Sequence, residues 1–286
     1  MNTSRLRRLL LFFVTAAGAA LTNVASAAQA ADASAWVSDA HSAMRLMVGS
    51  SSKNQREPLR AGVEIKLAPG WKTYWRYPGD SGIPPRFDFT RSTNVRSVDI
   101  EWPAPQAWHD PGGVSIGYKD KVILPLRVVA QNPGQPVGLV LAFDYAICEN
   151  VCIPKSGNAE LQIPAAAPSE DAALAAAAAR VPRKSALGAD KGLAIRAVER
   201  VGDWPQPRLL VDVAALAGAT VELFAEGPTP DWALPVPEPV GTGQDGVHRF
   251  AFVLDGVPPG VDPKGAILTL TAVAGKEAIE TPYRLD

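Results

Sequence analysis

The stretch from Leu139 to Pro154, LVLAFDYAICENVCIP, holds both cysteines of the chain, Cys148 and Cys152, directly after an alternating apolar run. Leu139, Leu141, Phe143 and Tyr145 fall on one face of an extended segment, the period of two of a half-buried strand. The cysteines therefore stand where a core strand ends and a turn begins. Four residue steps fully extended cover roughly 13 Å, whereas a disulfide needs Cα atoms about 4.4–6.8 Å apart. The pair can bond only if Glu149-Asn150-Val151 reverses the chain. Asn150 suits such a turn, because it tolerates left-handed backbone and bonds its own main chain. Pro154 limits any ladder or helix extending back from beyond. So short a ring restrains the unfolded chain little, which makes the pair a poor staple and a candidate redox switch.

The same periodicity recurs along the chain. Leu59, Ala61, Val63, Ile65 and Leu67 alternate cleanly, Pro69-Gly70 turns the chain, and Trp71–Trp75 returns as the second arm of a hairpin. His41–Val48, Val95–Trp102 and Lys121–Ala130 read as further strands, with Pro125 marking an edge or bulge. Trp108–Tyr118 reads as a Gly-rich loop. Strands return at Leu193–Val201, Arg208–Val213, Thr220–Phe224, Val247–Leu254, Ala266–Val273 and Ile279–Leu285. With 26 Pro and 24 Gly punctuating them, the expectation is an all-β chain of two β-sandwich domains, 36–165 and 193–286. Between them, 166–192 changes composition. Ser169 is a candidate N-cap, Glu170 and Asp171 favour a helix start, Ala172–Ala179 is strongly helical and Pro182 stops it, giving an Ala-rich helical linker.

The first 27 residues read as an address. Arg5, Arg7 and Arg8 precede an apolar run from Leu9 to Leu21, and Ala25-Ser26-Ala27 offers a signal-peptidase site. Arg7-Arg8 also admits twin-arginine export. The apolar run is short of the ~20 residues that span a bilayer, and no later stretch is long and apolar enough to do so. The mature chain, about 259 residues, is expected in an oxidising compartment, the periplasm. Without the three leader arginines, 25 basic residues face 29 acidic ones, which is no footprint for nucleic acid.

Two cysteines in an exported protein most often make a structural disulfide. The short loop and the single pair argue instead for thiol–disulfide exchange. The spacing is not C-x-x-C, Glu149 opposes a neighbouring thiolate and Lys155 could offset it. His109 could carry a proton for the thiols. His41, Met44 and Met47, spaced by three, invite a copper reading, against which methionines usually pack. No G-x-S-x-G, H-E-x-x-H or Walker motif is present, and neither a cofactor nor a metal ligand set is expected. A Cu(I) or protein-binding module with a structural disulfide remains the alternative.

Four segments together, WKTYWRYPGDSGIPP (71–85), EWPAP-x-x-W (101–108), IGYKDKVILPL (116–126) and YAICENVCIP (145–154), resemble the N-terminal periplasmic domain of the thiol:disulfide interchange proteins of the DsbD family. The three-residue gap between the cysteines is most similar to the ScsB-like branch, associated with copper tolerance. The resemblance covers roughly residues 40–165. It implies an immunoglobulin-like sandwich whose cysteine pair, here Cys148 and Cys152, passes electrons from a membrane-embedded partner to exported thioredoxin-like proteins. It also implies a cap over the disulfide from the region Trp108–Tyr118, where Trp108 or Tyr118 stands in for the family's phenylalanine. Tyr74 and Tyr145 are candidates to line the site. No membrane reductase or thioredoxin segment is legible in the 286 residues, so a membrane thiol reductase is expected to supply electrons in trans.

Overall fold

The computed structural model describes residues 32–50, 57–80, 82–110, 112–163, 170–242 and 247–286. The expected leader and Ser169 lie outside them. The alternating segments become strands β1 (Val37–Ser38), β2 (Ser42–Val48), β3 (Leu59–Leu67), β4 (Lys72–Gly79), β5 (Arg86–Asp88), β6 (Val95–Ile100), β7 (Gln106–Asp110), β8 (Gly113–Lys119), β9 (Lys121–Ala130), β10 (Val137–Cys148) and β11 (Cys152–Ile163). They form two facing sheets, ordered β1-β2-β3-β9-β6 and β11-β10-β4-β8-β7, with β5 also pairing β10. Inward residues repeat every second position: Met44, Leu46 and Val48 on β2, Val63 and Ile65 on β3, Leu139, Leu141, Phe143, Tyr145 and Ile147 on β10. Burying these aliphatic and aromatic faces against each other drives the two sheets together.

Three local expectations are corrected. Leu59–Leu67 and Trp71–Trp75 are not two arms of one hairpin: after the turn at Pro69-Gly70 the chain crosses over, so that β3 pairs β2 and β9 in the first sheet while β4 pairs β10 and β8 in the second. The Gly-rich loop 108–118 is largely a hairpin, β7 paired to β8, whose second arm also pairs β4. Its glycine at 117 serves close approach, since a Cβ there would lie 1.9 Å from the Thr73 carbonyl oxygen. Pro125 is on β9, an interior strand, opposite Gly62 of β3. Its carbonyl accepts from Glu101 N–H, 2.8 Å, just past the end of β6. Carbonyl and nitrogen of one strand residue point the same way, so the missing donor faces the side where the β6 ladder has stopped.

After the first sandwich come α1 (Asp171–Ala178), β12 (Arg183–Lys184), β13 (Ala194–Val201), β14 (Arg208–Ala214), β15 (Val221–Glu226), β16 (Glu238–Thr242), β17 (Val247–Val253), β18 (Ile267–Ala274) and β19 (Glu277–Arg284). The alanine run does form a helix, without a side-chain cap bond. It is not a free spacer: Leu174 and Ala177 are buried with Met47 and Ile123 on the outer face of the first sheet. Sheets β12-β19-β18-β15 and β13-β14-β17-β16 make the second sandwich, around Leu209, Val211, Phe250, Phe252, Leu268 and Leu270. The protein is thus nearly all-β, immunoglobulin-like, with one short helix among the described residues.

The two sandwiches share an interface built from one face of β15, β18 and β19. Phe224, Val273 and Ala278 are buried within the first domain's core cluster, and Phe224 meets Trp75 at a ring-centroid distance of 5.7 Å. Around this apolar contact, Arg76 of β4 donates to both oxygens of Glu226, 2.8 and 2.7 Å, and to Glu280, 2.5 Å. Ala107 N–H donates to Glu222, 3.0 Å, and the Tyr77 hydroxyl to the Leu234 carbonyl. β4 therefore carries the anchor to the second sandwich at Arg76 and, a few residues earlier, the residues that surround the disulfide.

Candidate redox site

β10 and β11 are a hairpin in continuous register from Val137 opposite Ile163 to Cys148 opposite Cys152. The reversal at Glu149-Asn150-Val151 brings the cysteine Cα atoms to 4.2 Å, and the sulfurs are bonded. Because Ile147 points into the core, Cys148 points out, onto the outer face of its sheet. The two halves of the disulfide differ in access: Cys148 is 2% exposed, while Cys152 is exposed beside Val151, itself 70% exposed. Cys152 is thus the cysteine open to solvent.

Cross-strand register assembles the surroundings. Cys148 lies opposite Lys72, Lys72 opposite Lys119, and Tyr74 opposite Gly117. Paired residues share a face, so Lys72 and Tyr74 stand on the sulfur side of β4. Tyr74 is buried, and its hydroxyl lies 2.9 Å from Cys148 Sγ, to which it donates, and 3.3 Å from Cys152 Sγ. The segment after β4 folds over the ring; a Cβ at Gly82 would sit 2.6 Å from Tyr74 Cδ1. Burial, reinforced by the negative charge of Asp110, raises the Tyr74 pKa, so the phenol keeps its proton and remains a donor at neutral pH.

A charge pair, its lysine buried and its aspartate part-exposed, flanks the phenol. Lys72 is 6% exposed and its ammonium binds the Asp110 carboxylate from β7. Ser115 Oγ donates to the same carboxylate oxygen, 2.5 Å. The Lys72 hydrogen bond, with that of Ser115, holds the Asp110 carboxyl below its ordinary range despite partial burial. On the other side of the sulfurs, the Glu149 carboxylate lies over Gly70 in the β3–β4 turn. Lys155 is not turned to the sulfurs but paired with Asp39, 2.5 Å.

Of the residues expected around the disulfide, the structure brings Tyr74 to both sulfurs. Tyr118 is turned into the core, where its hydroxyl donates to the Pro103 carbonyl, 2.8 Å. Tyr145 is buried on the core side of β10 and donates to Ser42 Oγ, 2.9 Å. His109 lines a cleft against the second sandwich with Glu222, Phe224 and Pro237. Trp108 shares the sulfur face, two places from Asp110 on β7, with Lys119 Nζ 4.6 Å above its ring centroid. Met44 is in the sandwich core, Met47 lies under α1, and His41 stacks on Trp71 at 4.3 Å, so the three do not converge. Among the described residues no cluster of three His, Cys, Asp or Glu could hold a metal ion. Lys72, Asp110 and Ser115 escaped the sequence reading. The available signal was period two, which puts Lys72 on the face of Tyr74 and Asp110 on that of Trp108.

The family described as thiol:disulfide interchange protein DsbD, N-terminal, matches residues 43–164, the stretch that contains both cysteines, Lys72, Tyr74 and Asp110. No curated protein matches the chain. Among solved structures, the crystal structure of the N-terminal periplasmic domain of ScsB from Proteus mirabilis is similar with a TM-score of 0.67 and 23% identity. That likeness covers 89% of this chain and 98% of the other, so it extends through the second sandwich as well as the first. No helix among the described residues is long and apolar enough to cross a membrane. Residues 43–164 of this chain are a DsbD N-terminal-like domain, bearing its disulfide at the end of a core strand.

Proposed function

We propose that the protein is an exported electron carrier of the thiol–disulfide exchange type, with Cys148–Cys152 as its working pair. The observation that carries this reading is the asymmetry of the disulfide: Cys152 open to solvent, Cys148 buried beneath a phenol that donates to it. A partner thiolate attacks Cys152 Sγ, the S–S bond breaks, and its electron pair leaves on Cys148 Sγ. The partner's second thiolate then attacks the partner sulfur of the mixed disulfide and releases Cys152 as a thiolate. Two electrons have entered the protein and the partner is left as a disulfide. Run in reverse on an oxidised target, with Cys152 as the attacking thiolate and Cys148 resolving, the same steps reduce that target. The donor is a membrane thiol reductase acting in trans, and the targets are exported thioredoxin-like proteins. Residues 1–27 are the leader removed on export to the periplasm; 36–165 carry the chemistry, 166–192 connect, and 193–286 brace.

Reduction potential and exchange rate with a thioredoxin-like protein test the reading together. Exchange at a potential above about −300 mV supports it; a lower potential without exchange marks a structural staple. Tyr74→Phe keeps the ring and removes the donor. Losing one hydrogen bond to a charged sulfur costs about 1.5 kcal/mol or more, so the expected result is a roughly tenfold slower opening of the disulfide by an incoming thiol. An unchanged rate would show that the phenol is packing only.

A further inference from the structure

Lys72 is a nearly buried ammonium directly across the sheet from Cys148, and its partner is the carboxylate of Asp110, carried on a different hairpin. Directly opposed residues of an antiparallel pair have Cβ atoms about 4.5–5.5 Å apart, and the flexible four-carbon stem of lysine can redirect its head within that space. The Asp110 charge acts on the Tyr74 phenol, and the phenol touches both sulfurs, so the pair stands in the shell next to the disulfide. A pair of a buried lysine and a part-exposed aspartate on an outer sheet face is a poor device for stability alone, since the lysine's desolvation offsets much of its attraction. It does supply, close to Cys148, a cation already removed from water.

We propose that Lys72 is the counter-ion of the Cys148 thiolate, held by Asp110 while the disulfide is closed and shared with the sulfur once it opens. The proposal rests on the exchange chemistry above and adds the group that sets it. When the S–S bond breaks, the electron pair arriving on Cys148 Sγ meets the Tyr74 hydroxyl and the Lys72 ammonium, and no proton need be taken up. The other groups facing this sulfur from the packed elements are Lys119 on β8, Asp110 and the Ser115 hydroxyl on the β7–β8 hairpin, Glu149 in the turn, and Asp144 farther back on β10 opposite Arg86. Glu149 is turned to Gly70, Lys119 lies over Trp108 and Asp144 is beside Arg86, which leaves Lys72 as the cation opposite the sulfur.

The test is the ionisation of Cys148 as a lone thiol, read by thiolate ultraviolet absorbance against pH in full-length Cys152→Ser protein. It needs no partner, so its outcome stands apart from whether exchange with thioredoxin-like proteins occurs. An opposite charge at this range moves a pKa by about 1–3 units. The expected results are a rise of about one unit or more in Lys72→Met, near-normal behaviour in Lys72→Arg, and a fall in Asp110→Asn, which frees the ammonium. The deciding comparison is Lys72→Met within Asp110→Asn. A direct effect raises the pKa there as well. No shift in that background means that Lys72 acts only by anchoring Asp110, and overturns the proposal, as does an unchanged pKa in Lys72→Met alone.

Discussion

Cys148→Ser and Cys152→Ser each end electron transfer, but they stop the protein at different places. With Cys148 removed, the exposed Cys152 thiolate still attacks the disulfide of an oxidised partner, and the mixed disulfide cannot be carried forward because no resolving sulfur stands beside it. With Cys152 removed, the remaining thiol is 2% exposed beneath Tyr74, and no mixed disulfide forms. Turnover falls to background in both. Non-reducing electrophoresis after mixing each variant with an oxidised thioredoxin-like protein distinguishes them: a shifted band for Cys148→Ser and none for Cys152→Ser. The opposite distribution would make Cys148 the entry sulfur and reverse the assignment. Equal trapping by both would show that the burial of Cys148 is not maintained in solution.

Arg76→Met lowers the stability of the whole chain by about 3 kcal/mol. Breaking a buried ion pair from one side leaves its carboxylates desolvated without their cation, at a cost of about 3–5 kcal/mol. Here Glu226 loses its bidentate partner and Glu280 keeps only Lys184, so the low end of that range applies. The sign of the pH dependence follows from Glu280. Burial pushes its pKa up, but the charges and hydrogen bonds of Arg76 and Lys184 outweigh burial and hold it below the ordinary 4.5. A depressed carboxyl contributes stability above its unfolded-state pKa and loses it as pH falls through the folded value. The gap between wild type and Arg76→Met is therefore full at neutral pH and narrows below about 4.5. Denaturant unfolding at pH 7 and pH 3.5 measures both. A gap that stays constant would place the effect in lost packing of the arginine stem over Trp75, 4.3 Å from its ring centroid, rather than in charge.

Legibility divides along the chain in a consistent way. Leu59–Leu67 and Lys121–Ala130 were read with the bounds they have in the structure, because alternation of apolar side chains is itself the property that makes a strand half-buried. The same alternation put the cysteines at a strand end. The glycines of Trp108–Tyr118 suggest turns, whereas Gly117 is demanded by the neighbouring Thr73 backbone. Pro125 was misread because its tolerance depends on where β6 stops, which is set by another segment. The alanine helix was found, but its docking on Met47 and Ile123 was not, since an alanine-rich surface gives little sign of which way it packs.

At the disulfide the division is sharper. Period two in the covalent order was enough to read most of the strands, the inward face of β10 and the strand end on which Cys148 stands. Which aromatic meets the sulfurs was left to the assembled sheet, which selects Tyr74 and turns Tyr118 and Tyr145 inward. So was the meeting of Lys72 with Asp110 and of Arg76 with Glu226 and Glu280. Alternation is a property of neighbours along the chain. The contacts of Lys72, Tyr74 and Arg76 join residues between 38 and 204 positions apart, and only strand register and the packing of one sandwich on the other bring them within a few ångströms.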